Sequence, residues 1–148
     1  MSRIEQALAR FENGYNCAQA IVSTYCPLFG IEPDQGLVLS LCLGGGVARH
    51  GNICGAVSGA AIVLSLKYLS PETRPRQEMN NTTYKKCTEF MDRFSERNEN
   101  IICSELLGME IRTEQGLEQA LAKDVFNKQC TGYVRAAAEL LEEMLNQD

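Results

Sequence analysis

The sequence contains no tryptophan, a single histidine and no Cys-x-x-Cys pair. With only 5 Tyr and 5 Phe among 148 residues, a core must be built mainly from Leu, Ile, Val, Ala and Met. Cys-x-x-Cys is the local spacing of zinc ribbons and thioredoxin-like motifs, so its absence removes the strongest sequence signals for both. A Cys-x-x-Cys-His motif is also absent, which argues against covalently attached haem.

The chain also lacks an excess of positive charge and a long apolar run. A formal net charge of −5 argues against binding to nucleic acid, which selects basic patches. The longest apolar stretch, residues 55–66, is too short to span a bilayer, and residues 1–12 predict an amphipathic helix rather than a secretory signal. We therefore expect a cytoplasmic protein that does not span a membrane. In that reducing compartment, seven cysteines indicate metal binding, catalysis or packing rather than a disulfide framework.

Apolar residues recur at helical spacing along most of the chain, and no segment alternates as a half-buried strand would. Ser2 and Asn16 are good N-cap residues for the first two helices, and Pro71 and Pro75 interrupt the pattern near the middle. The sequence therefore predicts an all-α fold in which residues 1–148 form one domain, a bundle of about seven helices.

Four of the seven cysteines occupy similar positions in this pattern. Cys17, Cys54, Cys103 and Cys130 lie far apart in sequence, yet each comes where a helix is predicted to start. The partial positive charge and unpaired N–H groups of a helix start favour a thiolate over a thiol. We therefore predict that the fold gathers these four thiols into one redox or metal-binding site.

Cys54 carries the strongest local signal. It opens the motif CGAVSG, whose two glycines lie on one helix face and allow a backbone or a cofactor to approach closely. Arg49 and His50 precede it in a glycine-rich loop at residues 44–53. A cationic neighbour and a helix start would both lower the pKa of Cys54. His50 is itself a candidate cofactor ligand, a proton carrier or a plain loop residue.

The other three cysteines are assigned to packing. Cys26 ends a helix beside a proline, Cys42 lies in the apolar segment LSLCLGG, and Cys87 belongs to the apolar stripe of a long helix. Because free cysteine is among the most buried residue types, we expect all three in the core.

The most specific stretches of the sequence are GYNCAQA at 14–20, CGAVSG at 54–59, CSELLG at 103–108 and a cysteine before the Ala/Leu/Glu-rich last helix. Together, and in this order, they resemble the C_GCAxxG_C_C family of bacterial and archaeal proteins over nearly the whole chain. The resemblance implies a redox-active protein whose shared cysteines fall on Cys17, Cys54, Cys103 and Cys130. It further implies a relation to the cluster-bearing part of split-Soret cytochromes, and hence an iron–sulfur centre.

The leading hypothesis is therefore an iron–sulfur protein for electron transfer, working with a redox partner that the sequence does not identify. Cys17, Cys54, Cys103 and Cys130 would be the ligands, because cysteine thiolates are the usual ligands of such clusters. The iron would compensate most of the thiolate charge, and the helix starts with Arg49 and His50 would supply the rest.

Two alternatives and one question of assembly stay open. The first alternative is thiol–disulfide exchange, with Cys54 attacking and Cys17 resolving. The second is a structural zinc site in a helical interaction module, which needs four sulfurs about 3.8 Å apart. Whether the protein is an enzyme is not decided. The small-residue helix face at 55–66 also suggests a homodimer, since small residues allow close helix approach and C2 pairing is common.

Overall fold

The computed structural model describes residues 1–68 and 76–147, and within these ranges the chain is helical without a named strand. Its eight α-helices are α1 (Arg3–Glu12), α2 (Cys17–Tyr25), α3 (Pro33–Ser40), α4 (Gly55–Tyr68), α5 (Arg76–Asn98), α6 (Cys103–Leu107), α7 (Glu114–Ala122) and α8 (Thr131–Leu145). Two 3₁₀ turns, Cys26–Phe29 and Leu41–Leu43, and a π-helical turn, Phe126–Cys130, complete the helical segments. The all-α prediction is confirmed.

Some of the predicted boundaries lie outside the described residues. These are the interruption at Pro71 and Pro75 and the end, at Leu69, of the helix that the sequence predicts to start near Cys54. Within the described ranges, no helix is long and apolar enough to cross a membrane.

The first two helices begin where the sequence predicts them. The Ser2 hydroxyl accepts a hydrogen bond from the Glu5 amide at 3.1 Å, and Glu5 accepts one from the Ser2 amide. Asn16 and Gln19 form the same reciprocal pair at the start of α2, at 2.9 and 3.1 Å. Caps of this kind contribute about 1 kcal/mol each. The second cap fixes Cys17 as the first residue of α2.

Helix α2 is the centre of the fold. All nine of its residues are buried, and it packs against α1, α3, α4 and α8. A Cβ at Gly59 of α4 would lie 3.1 Å from the carbonyl oxygen of Ala18, so the small residues of α4 let its backbone approach α2. The face proposed for a homodimer is therefore buried inside the chain. That part of the prediction is wrong, and a dimer would need another surface.

The apolar side chains form two clusters. The main core joins α1, α2, α4, α5 and α8 and contains the fully buried Phe90 and Phe94. A second set, called here the small cluster, joins α6, α7 and the segments beside them, and consists of Cys103, Leu107, Ile111, Ala120 and Val125. The cysteines singled out by the sequence fall on both sides of this division.

Candidate functional site

One cavity of about 550 Å³ is lined by side chains from both apolar clusters. All four cysteines selected from the sequence line it: Cys17, Cys54, Cys103 and Cys130. Cys17 and Cys54 belong to the main core, Cys103 belongs to the small cluster, and Cys130 packs against that cluster. The fold therefore brings four residues that are distant in sequence to one place.

The N-cap of α2 and the absence of a side chain at Gly55 together determine the position of Cys17. It directly follows the N-cap residue Asn16 and is buried. A Cβ at Gly55 would lie only 2.5 Å from the Cys17 sulfur, and 3.0 Å from the carbonyl oxygen of Leu43. The glycine after Cys54 in the CGAVSG motif is thus required by the space that the Cys17 sulfur occupies.

The glycine-rich loop before Cys54 has an uncommon backbone. Five consecutive residues, 45–49, have φ between +49° and +68°, and three of them are not glycine. The left-handed conformation costs a non-glycine residue about 1–2 kcal/mol. This backbone directs the amide of Gly45 to the Cys17 sulfur and places Arg49 on the cavity wall. Strain of this kind concentrates at ligand clamps and active sites.

Cys17 and Cys54 interact through a side-chain hydrogen bond, and Cys17 is the more acidic of the two thiols. The Cys54 side chain and the amides of Gly45, Ala18 and Cys17 itself all favour the charged form of the Cys17 sulfur. These contacts outweigh the opposing effect of burial and lower the pKa of Cys17 to about 7. The same hydrogen bond, together with burial, raises the pKa of Cys54.

The expectation of a lowered pKa at Cys54 is therefore wrong. The amides of Ala56 and Val57 at the start of α4 do favour a thiolate at Cys54, but its hydrogen bond with Cys17 and burial outweigh them. Cys17 is the more acidic thiol, because that hydrogen bond and the amides of Gly45, Ala18 and Cys17 favour charge on its sulfur. If the pair carries out thiol–disulfide exchange, Cys17 would attack and Cys54 would resolve, which is the reverse of the roles predicted from the sequence.

A short backbone connection joins Cys54 to Cys103. Ile53 and Ile102 form an isolated antiparallel bridge, the Cys54 amide donates to the Ile101 carbonyl at 2.8 Å, and the Cys103 amide donates to the Asn52 carbonyl at 2.6 Å. Cys103 begins α6, as predicted. That helix has only five residues, and burial raises the pKa of Cys103 to about 12. The helix start does not outweigh desolvation here.

Cys130 directly precedes α8, which begins at Thr131, so the last helix starts where the sequence predicts it. Cys130 is also the last residue of the π-helical turn Phe126–Cys130, which continues into α8. Its surroundings therefore lack the free N–H groups expected of a helix start. Burial, with the Cys17 and Cys103 sulfurs nearby, raises the pKa of Cys130.

The cavity residues that were not selected from the sequence include a fifth cysteine and a tyrosine. Cys42, assigned to the core, is exposed and lines the cavity, because it lies in a 3₁₀ turn at the surface. Tyr133 also lines it and donates a hydrogen bond from its hydroxyl to the Leu106 carbonyl at 2.9 Å. Cys26 is buried as predicted, and Cys87 is half-buried with its sulfur 4.0 Å from that of Met91. The only sequence feature that could have placed Cys42 at the cavity is its position beside a run of glycines. No sequence feature indicated Tyr133.

Arg49 and His50 occupy different environments. Arg49 lines the cavity and is exposed. His50 is exposed and is not among the cavity-lining residues. Its Nδ1 lies 3.2 and 3.1 Å from the carbonyl oxygens of Val47 and Ala48. The structure does not bring His50 to the four cysteines.

The described residues contain no group of three His, Cys, Asp or Glu side chains placed to hold one metal ion. A tetrahedral zinc site needs its sulfurs about 3.8 Å apart around a single ion. The cysteines instead surround a cavity. The described residues therefore do not show the compact donor set that the structural zinc alternative needs.

Comparison with known proteins agrees with this placement of the cysteines. The searches of curated proteins and of solved structures found no match. A family model described as "Putative redox-active protein (C_GCAxxG_C_C)" matches residues 15–144, which include all the cavity cysteines. The chain therefore belongs to the C_GCAxxG_C_C redox-active protein family.

Proposed function

We propose that this family member is an electron-transfer protein in which four of the cavity cysteines hold an iron–sulfur cluster. The observation that carries the proposal is the arrangement of Cys17, Cys54, Cys103 and Cys130. They come from four separate segments, line one cavity, and do not converge in threes on a single ion. Each iron of such a cluster takes only one or two cysteine ligands, because bridging sulfide supplies the others.

The residues present fit that group. Thiolates are its usual ligands, and Gly55 leaves room beside the Cys17 sulfur that any Cβ would fill. The cluster would supply one-electron chemistry, and its potential would respond to hydrogen bonds and burial around the sulfurs. The chain supplies the Gly45 amide to the Cys17 sulfur and encloses the site with apolar side chains. It also fixes the Cys54 and Cys103 backbones to each other through the Ile53–Ile102 bridge.

The first test is anaerobic reconstitution of the reduced chain with iron and sulfide. We expect visible absorption, an EPR signal in one redox state, and stoichiometric iron and acid-labile sulfide. Cys87→Ser is the matched control, because Cys87 does not line the cavity, and it should bind as much iron as the wild type. Cys54→Ser should lose most of it. A colourless, iron-free wild-type protein after reconstitution would contradict the proposal.

A second candidate function is thiol–disulfide exchange, which is favoured by the hydrogen bond between Cys54 and Cys17. The Cys17 thiolate would attack a substrate disulfide, forming a mixed disulfide and releasing one thiolate. Cys54 would then lose its proton and attack the Cys17 sulfur, forming the Cys17–Cys54 disulfide and releasing the second thiolate. Two electrons pass from the protein dithiol to the substrate disulfide, and the released thiolates take up protons.

Counting free thiols separates this candidate from the first. After mild treatment of the iron-free chain with a small disulfide, such as oxidised glutathione, two thiols should disappear together. Cys54→Ala should instead retain one glutathione on Cys17, visible as added mass. An unchanged thiol count and mass would remove this candidate. Both candidates require reduced thiols, as in the cytoplasm, where we place the protein.

A further inference from the structure

The cavity is larger than a metal ion requires, and its wall beyond the cysteines is mostly apolar. A volume of about 550 Å³ lies within the range of about 300–1,000 Å³ that small-molecule sites occupy. Leu117 and Leu121 of α7, with Phe126 of the π-helical turn, form part of the wall. Leu121 is 62% exposed, so this part of the cavity reaches the surface. The shape and lining suit an organic molecule with an apolar body.

Arg49 is the one basic residue among the described residues that line the cavity, and none of the lining residues is Asp or Glu. No carboxylate in the described ranges forms an ion pair with it, whereas Arg3, Arg93 and Arg97 are each paired with a glutamate of α8. A guanidinium without an ion-pair partner at the wall of an apolar cavity is complementary to an anionic group.

Arg49 differs from an ordinary surface arginine in its backbone conformation. Its φ is +62°, and it ends the run of five left-handed residues at 45–49. The same loop carries the Gly45 amide that acts on Cys17, and a Cβ built at Gly45 would lie 2.8 Å from the Arg49 Cα, so the loop holds the Arg49 backbone beside Gly45. Strained non-glycine residues persist where the surrounding structure holds them, commonly at ligand clamps.

We propose that the cavity binds a small organic anion. The anionic group, whether carboxylate, sulfonate or phosphate, pairs with Arg49, and the apolar body lies against Leu117, Leu121 and Phe126. This places the ligand beside the cysteines, so that the site brings a small molecule to the redox centre. The proposal does not depend on which redox chemistry the cysteines carry.

Two fluorescent probes that share one aromatic body test the proposal. Anilinonaphthalene sulfonate carries an anionic group, and N-phenylnaphthylamine is the same body without it. Each probe is titrated into the full reduced chain, before and after reconstitution with iron, so that the result is read whether or not a cluster forms. We expect both to bind at one site per chain, the anionic probe more tightly.

The matched variants are Arg49→Gln and Arg135→Gln. Each removes one exposed guanidinium, and Arg135 does not line the cavity. Arg49→Gln should weaken the sulfonate probe about tenfold, as expected for loss of a charge-assisted contact, and should leave the neutral probe within about twofold. Arg135→Gln should change neither. An Arg49→Gln chain with native circular dichroism that binds the sulfonate as the wild type does would overturn the proposal. Equal weakening of both probes would also overturn it.

A second pair of variants locates the probes. Leu121→Asp places a carboxylate at the exposed edge of the cavity and should weaken the sulfonate more than the neutral probe. Val38→Ser alters a shallow apolar groove on α3, where Val38 is 77% exposed, and should change neither. If Val38→Ser abolishes binding and Leu121→Asp does not, the probes occupy the groove and the cavity proposal is wrong.

Discussion

The two sides of the cysteine cavity differ in how they hold their sulfurs. On the main-core side, Cys17 accepts hydrogen bonds from the Cys54 thiol and from backbone amides, and its pKa falls to about 7. On the small-cluster side, burial dominates at Cys103 and Cys130, and both pKa values are raised. Four cysteines in similar sequence positions therefore differ in pKa, because a helix start favours a thiolate only where its amides and a thiol donor together outweigh burial.

The largest expected effect is a difference in thiol reactivity across the cavity. With the iron-free reduced chain at pH 7, iodoacetamide should modify Cys17 about 10²–10³ times faster than Cys103. Their thiolate fractions differ by about 10⁵, and the weaker nucleophilicity of the more acidic thiol offsets about half of that on a logarithmic scale. Peptide mass spectrometry measures each rate separately.

The pH dependence of the iodoacetamide reaction tests the direction of the pKa shift at Cys17. Cys17 is a thiol below its pKa, so its rate should rise as pH increases through about 7 and then level off. Cys54 is the titratable group bonded to it, and Arg49 is the charged residue on the cavity wall. Cys54→Ala removes a donor and should move the midpoint upward. A wild-type midpoint near 9, or equal rates at Cys17 and Cys103, would contradict the difference between the two sides.

The next effect tests the packing around Cys17. Gly55→Ala adds a Cβ 2.5 Å from the Cys17 sulfur and 3.0 Å from the Leu43 carbonyl oxygen, and that backbone atom cannot move cheaply. We expect the free energy of unfolding to fall by about 1–3 kcal/mol in urea denaturation.

Gly132→Ala is the control for that experiment. Gly132 lies in α8, and a Cβ there meets nothing within 4 Å. This substitution should raise the free energy of unfolding by up to about 1 kcal/mol, because alanine has the higher helix propensity. Equal effects of the two substitutions would show that the space at Gly55 is not set by the sulfur.

The smallest effect concerns the hydrogen bond that joins α8 to α6. Tyr133→Phe removes the hydrogen bond to the Leu106 carbonyl and should lower the free energy of unfolding by about 0.5–1.5 kcal/mol. Tyr84, which is 68% exposed, provides the comparison, and Tyr84→Phe should stay within about 0.5 kcal/mol of the wild type. Urea denaturation measures both variants. Equal changes in the free energy of unfolding would show that the Tyr133 hydrogen bond does not stabilise the fold.

The sequence was sufficient for the features that depend on local pattern. Helical spacing predicted the all-α fold, and capping chemistry predicted the starts of α1 and α2 at Ser2 and Asn16. The positions of the four cysteines predicted that they share a site, and all four line the cavity. Each of these predictions needed only residues near one another in sequence or a shared position along a helix.

The sequence did not predict the features that depend on contacts between distant segments. Cys17 is more acidic than Cys54 because of its hydrogen bond with Cys54 and, to a smaller extent, because the left-handed loop brings the Gly45 amide to its sulfur. Cys42 was assigned to the core because its neighbours are apolar, but α3 and the following turn leave it at the surface. Helical periodicity does not mark the π-helical turn that precedes α8, so the sequence did not show that Cys130 lacks free helix-start amides.

The central claim is that the two sides of the cavity act as one redox site. Iron content after reconstitution of the seven single Cys→Ala variants tests it most directly. We predict that the variants at Cys17, Cys54, Cys103 and Cys130 lose most of the bound iron, while those at Cys26, Cys42 and Cys87 keep it. Full iron content and an unchanged EPR signal in the Cys103 and Cys130 variants would contradict the claim, because the small-cluster side would then take no part.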